Sequence, residues 1–293
     1  VVVLIDAARW PAHGTVFAHL VSDTSLAELH AFAERAGIAP RAFDRDHYDV
    51  SEARREDLIA LGAVPVSGSE LIRRLRASGL RVTSRERPAH ARAVLQQRWP
   101  GALAAAVPLR EELLARWSEP HRHYHDVTHL LAVLDALDAV TDPGEAAPLV
   151  VTLAAWFHDA VYDGAPGTDE EASALLAETV LAGHLPASDV AEVARLVRVT
   201  TDHRPEPGDR HGALLCDADL AVLGAEPARY DRYVAAVRLD YAHVSDADWR
   251  SGRAAVLRQL LALDPLYRTE RGRHLWQERA GANLRRELQT LTG

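Results

Sequence analysis

The chain has one cysteine, no methionine and no lysine, so all 33 of its basic residues are arginine. A single thiol excludes a disulfide framework and a cysteine-based zinc site. Long apolar runs are missing too. The longest, Leu149 to Phe157, falls well short of the roughly 20 residues a membrane helix needs. The apolar start Val1 to Ile5 has no basic flank and no small-residue cleavage site, and Asp6 stops it. The expectation is therefore a cytoplasmic protein with no membrane partner. Basic charge is short as well, 33 residues against 42 acidic ones for a net charge of −9. That argues against a nucleic-acid polymer as partner, because phosphate binding leaves a basic footprint. What the chain has in quantity is histidine, 15 residues of it. Any bound metal must then be held by imidazole and carboxylate.

A length of 293 residues is comfortable for two domains. Residues 1–85 alternate between strand and helix signals and predict a small α/β domain. Val1 to Ile5 reads as a buried strand. Ser25-x-x-Glu28 is a capping box opening a helix that Gly37 closes, and Asp49-x-x-Glu52 reads as a second helix start stopped by Gly62. Ala63 to Val66 reads as a strand that Pro65 confines to a sheet edge, and Ser69 opens an amphipathic helix through Leu71, Ile72 and Leu75. Arg81 to His90 lacks hydrophobic periodicity and reads as a linker. Residues 90–293 show helical periodicity throughout and no strand signal. One of their helices carries Leu130, Val133, Leu134, Leu137 and Val140, and another runs from Leu149 to Val161.

Four of the histidines fall within nine residues, His121 to His129. On a helix His125 and His129 share one face. An adjacent pair, His158-Asp159, ends the most apolar helix, and Asp217-Ala218-Asp219 places two acids in an apolar stretch. Such groups are costly to bury unless they pair or coordinate something.

The order Asp126-x-x-His129, Phe157-His158-Asp159-Ala160, Asp217-Ala218-Asp219 resembles the HD superfamily of metal-dependent phosphohydrolases. Arg122-x-Tyr124-His125, Asp169-Glu170-Glu171-x-Ser173 and Tyr230-x-x-Tyr233 to Tyr241 are similar to an uncharacterised bacterial subgroup of it. The resemblance spans about residues 92–290 and implies an all-helical bundle. It implies His129, His158, Asp159 and Asp219 as ligands of a divalent ion, with Mn, Fe, Co, Ni, Zn and Mg all open, and Asp159 as a catalytic group too. Asp217 or Asp219 as the last ligand stays open, with Asp219 favoured. The implied activity is hydrolysis of a phosphate ester by metal-activated water, on a nucleotide or another small phosphorylated metabolite. Tyr124-His125-Asp126-x-x-His129 is also similar to the signature of cyclic-nucleotide phosphodiesterases, which implies His125 as the acid that protonates the leaving oxygen.

Further candidates to orient ligands or bind phosphate are Asp217, His203, Asp163, Glu170, Arg198, Arg204 and Arg238. A cyclic-nucleotide phosphodiesterase or an alarmone-type pyrophosphohydrolase fits the same constellation. A non-catalytic, metal-loaded nucleotide sensor is the alternative from another class, and a second copy of the chain as partner stays open. In the first domain Asp6, Arg9, Trp10, His13, His19, Asp23, His47, Tyr48 and Asp49 form a polar set. Asp6, His13, His47 and Asp49 are its candidate metal or phosphate ligands. Against that, Asp23 and Asp49 could equally be helix caps. Trp10-Pro11-Ala12-His13-Gly14 and Asp46-His47-Tyr48-Asp49 resemble a small bacterial family of unknown function, which implies a boundary and no chemistry.

Overall fold

In the computed structural model, which describes residues 2–12, 15–39, 42–44, 46–81, 87–165 and 167–292, contacts divide the chain into two units, 1–84 and 85–293. In the first unit the apolar start forms β1 (Val3–Ile5), buried at every position. It lies between β3 (Thr15–Ser22), antiparallel, and β6 (Val64–Pro65), parallel. With β2 (Trp10–Ala12), β4 (Phe43–Asp44) and β5 (His47–Ser51) the sheet has the order β4-β5-β3-β1-β6, and β2 pairs with β3. Pro65 thus sits in an end strand of that order, where its missing N–H breaks no ladder.

Helices cover both faces of this sheet. Ala18, Leu20, Tyr48 and Val50 pack with Leu29 and Phe32 of α1 (Leu26–Arg35) and Leu58 of α2 (Glu52–Ala60). Leu4 and Val21, on the other face, pack with Leu71 and Leu75 of α3 (Gly68–Ala77). Ser25 caps α1 as its sequence predicts, accepting the Glu28 N–H at 3.2 Å. Two expectations are corrected. Asp49 is no helix cap: it lies inside β5, and α2 begins three residues later behind Ser51. The alternation of buried Tyr48 and Val50 with polar His47, Asp49 and Ser51 is a strand's period of two, and it outweighs the Asp-x-x-Glu spacing. Asp23 pairs with Arg74 instead of capping a helix.

The second unit is helical throughout its described residues. Its helices are α4 (Pro88–Gln97), α5 (Val107–Arg116), α6 (Val127–Val140), α7 (Leu149–Phe157), α8 (Thr168–Leu181), α9 (Ala187–Val199), α10 (Arg210–Asp219), α11 (Pro227–Asp240), α12 (Asp246–Leu261) and α13 (Glu270–Thr292). Pro88 opens α4 inside the segment expected as linker, its fixed φ suiting a first helical turn. Residues 82–86 of that segment lie outside the described residues. α7 is apolar all round and accordingly buried, with Trp156, Phe157 and neighbouring Trp117 at the centre of the larger core. A second core joins α11, α12 and α13 through Tyr230, Leu257, Tyr267 and Leu284. Beside it Glu287 accepts from the Arg253 guanidinium at 2.8 Å and from the Tyr230 hydroxyl. Among the described residues no helix is long and apolar enough to cross a membrane.

Candidate metal centre

Asp126 opens α6 by accepting the N–H groups of Thr128 at 2.7 Å and His129 at 3.3 Å. The cap places His129 in the first turn, buried beside Val127 and Leu130. α7 stops at Phe157, which makes His158 its C-cap residue and puts Asp159 just beyond. α10 delivers Asp219 at its last position. Three helix ends therefore meet at one place. His129 Nε2 lies 3.2 Å from His158 Nε2 and 3.2 Å from Asp219 Oδ1. His158 Nε2 lies 3.3 Å from Asp159 Oδ2 and 3.5 Å from Asp219 Oδ1, and His129 Nε2 is 3.8 Å from Asp159 Oδ2.

The hydrogen bonds behind these atoms show what belongs among them. His158 Nδ1 lies 2.8 Å from the Ala155 carbonyl, which can only accept. Nδ1 therefore carries a proton, so that in the neutral ring the Nε2 lone pair faces another imidazole and two carboxylates. Acceptor against acceptor at this range is repulsive unless a proton or a metal cation lies between them. Donors about 2.1 Å from an ion stand about 3.0–3.4 Å apart around it, close to most of the spacings found. The donor set thus fits one divalent ion. Burial lowers the His129 pKa and favours its neutral form. At His158 burial also opposes charge, but Asp159 and Asp219 outweigh it and raise the imidazole well above its ordinary value. Burial likewise opposes ionised Asp159 and Asp219, yet His158 beside them holds both carboxyls low. His203 Nε2 contacts Asp219 Oδ2 at 2.8 Å, steadying that carboxylate from behind.

His125 lies just before α6 rather than on one helix face with His129, yet their ring centroids are 5.6 Å apart. It stacks on Tyr162 at 4.2 Å and meets Tyr124 edge-on at 4.8 Å. Its Nδ1 is 2.7 Å from Asp240 Oδ2, a carboxylate fully buried at the end of α11. Asp240 also accepts the backbone N–H groups of His123, Tyr124 and His125. Arg122 is buried too, and its guanidinium donates to the carbonyls of His125 (3.1 Å), Asp159 (2.7 Å) and Ala160 (3.2 Å). It ties the two histidine segments together. Neither Asp240 nor the clamping role of Arg122 is visible in the sequence. Tyr124 packs on His129 at 4.7 Å, and burial keeps its phenol protonated.

Several candidates are placed elsewhere. Asp217 is fully buried and accepts from the Arg268 N–H (2.7 Å), the Thr269 N–H (2.8 Å) and the Thr269 hydroxyl (2.7 Å), which binds it to the start of α13. Glu170 accepts the Gly167 N–H and so caps α8. Asp163 is exposed, as is Arg204. Arg198 pairs with Glu171 and Glu178. Arg238 is committed to the Tyr241 and Val244 carbonyls and to Asp246, so it holds a loop rather than a phosphate.

In the first unit the structure brings Asp6, His47 and Asp49 together with His19, while His13 lies outside the described residues. Two groups of residues could hold a metal ion, His129, His158 and Asp159, and His19, His47 and Asp49, each with donors within 4.8 Å of one another. Residues 3–78 match a family described as protein of unknown function (DUF4031). No HD-family match accompanies it, and no curated protein and no solved structure matches the chain.

Proposed function

We propose that the helical unit is an HD-type phosphohydrolase that cleaves a phosphate ester of a nucleotide or similar small metabolite, with a divalent ion held by His129, His158, Asp159 and Asp219. The observation that carries this reading is the convergence of two imidazole Nε2 atoms and two carboxylates, with His158 held from behind by the Ala155 carbonyl and Asp219 by His203. A bound divalent ion lowers the pKa of water and polarises a phosphoryl oxygen.

The chain's own residues do the rest. Asp240 accepts from His125 Nδ1 and holds the ring so that Nε2 faces the site, from which a proton passes to the leaving oxygen as the P–O bond breaks. Tyr124 and Tyr162 wall this imidazole on two sides and limit its hydration. The protonated Tyr124 hydroxyl can donate to a phosphoryl oxygen.

The test is phosphate release by the full chain, reconstituted with Mn²⁺ and offered nucleotides, sugar phosphates and cyclic dinucleotides. Turnover is expected, with Asp159→Ala losing both metal and activity. His125→Ala is expected to keep its metal and lose about 10²–10⁴ in rate, the usual worth of a positioned acid. Unchanged turnover in His125→Ala removes that role. Tight nucleotide binding without turnover under any divalent ion replaces the enzyme by a sensor.

A further inference from the structure

The polar face of the first unit has its own ligand geometry, independent of the helical centre. In the β3–β5 ladder His19 stands directly opposite Asp49. His47 precedes Asp49 by two on β5, so all three side chains share one sheet face. Nε2 of His47 lies 3.4 Å, and Nε2 of His19 3.9 Å, from the same Asp49 oxygen, and the ring centroids are 5.0 Å apart.

The other nitrogen of each ring is held from behind. His19 Nδ1 contacts Asp6 Oδ2 at 3.0 Å, and His47 Nδ1 contacts Asp46 Oδ1 at 2.6 Å. Asp6 is committed further by the His19 backbone N–H at 2.7 Å, and Asp46, wholly buried, by Arg81 at 3.1 Å. A carboxylate can only accept, so each Nδ1 carries a proton, and in the neutral ring each Nε2 turns a lone pair toward Asp49. Three acceptors then face one another across a gap that only a second ring proton or a cation can bridge. Imidazoles oriented by carboxylates behind them are the usual outer arrangement of a metal-binding histidine.

We propose that this face binds a divalent first-row transition ion through Nε2 of His19, Nε2 of His47 and the Asp49 carboxylate. Two imidazoles with one carboxylate select such an ion over Mg²⁺ or Ca²⁺, which take oxygen donors. Asp49 is 47% exposed, so the site opens to solvent and leaves positions for water or an oxygen ligand. Asp6 and Asp46 are positioning residues. Trp10, 61% exposed and edge-on to His19 at 5.6 Å, stands close enough to report occupancy.

The test uses the full chain, stripped with a chelator and titrated with Co²⁺ alone. Bound Co²⁺ per chain is read by elemental analysis, and tryptophan quenching is compared with that of Trp10→Phe. Asp49→Ala, or Asp49→Asn should the first misfold, is expected to lose one Co²⁺ per chain and the Trp10-dependent quench. Asp46→Asn is expected to weaken that quench's midpoint about 10–100-fold. Asp219→Asn, which disables the helical centre, is expected to leave it unchanged. Equal stoichiometry and quenching in Asp49→Ala and the parent chain overturn the proposal. So does a parent chain whose Trp10 is never quenched, which means that protons rather than a metal fill the gap.

Discussion

Asp217 and Asp219 stand two residues apart on α10, which turns them about 200° apart around the helix. One faces the start of α13 and the other faces the histidines, so replacing each by asparagine should separate a structural acid from a ligand. In Asp217→Asn the amide keeps a single acceptor. With its oxygen where Oδ2 now receives the Thr269 N–H and hydroxyl, its NH₂ faces the Arg268 N–H, donor against donor. One unsatisfied backbone N–H costs about 1–3 kcal/mol, and two charge-assisted bonds made neutral cost about 1 kcal/mol each. Burial already raises the Asp217 carboxyl above its ordinary pKa, and a neutral side chain escapes that cost. The net loss is about 2–4 kcal/mol. At about 2–4 °C per kcal/mol for a unit of this size, Tm should fall by about 4–15 °C while metal binding survives. Asp219→Asn should do the reverse, losing metal with little change in the Tm of metal-free protein. Calorimetry in chelator and elemental analysis after Mn²⁺ loading read both variants. An Asp217→Asn protein that melts like the parent and binds no ion would refute the reasoning.

Asp240→Asn removes the carboxylate that accepts from His125 Nδ1 and so loosens the ring's orientation toward the leaving oxygen. Metal content should hold while turnover of whichever substrate is found drops by about 10²–10⁴, and a loss under threefold contradicts the orienting role. A Cβ at Gly224 would meet Trp276 Cβ and, at 2.8 Å, its Cα. Gly224→Ala should therefore cost about 1–3 kcal/mol in a urea titration, through overpacking that backbone cannot relieve. Arg195, with His211 beside it, holds the Glu192 carboxyl down at about 2 against an ordinary 4.5. A depressed acid contributes stability that is complete above about 4.5 and lost as pH falls toward about 2. The group is partly solvated, so the contribution is under about 1 kcal/mol. The urea midpoint of Glu192→Gln should fall less than the parent's between pH 5 and pH 3, and parallel curves would exclude the coupling.

The helical centre is legible because its side chains belong to the ends of their own helices. Asp126 caps α6 and fixes where His129 falls, and α7 is so apolar that the His158-Asp159 pair marks its end. The groups that hold those side chains are not legible. Asp240 is 115 residues from His125, and only the packing of α11 brings it there. The same distinction explains the first unit. Asp49 sits at a spacing that suits a helix cap and also at a strand position opposite His19, and short-range pattern cannot decide between them. What decides is pairing with β3, whose own pattern is blurred because Leu20 and Val21 are buried on opposite faces of the sheet. Asp6 backs His19 across β1 and β3, and Asp46 backs its neighbour His47, but only the β3–β5 pairing brings the two imidazoles together. A strand that keeps polar residues on one face is weakly specified in register unless its other face is buried, and Tyr48 and Val50 supply that burial. The apolar side of β5 is thus what aligns the histidines on its polar side. Shortening Val50 should disturb the His47–Asp49 geometry without touching a single polar atom.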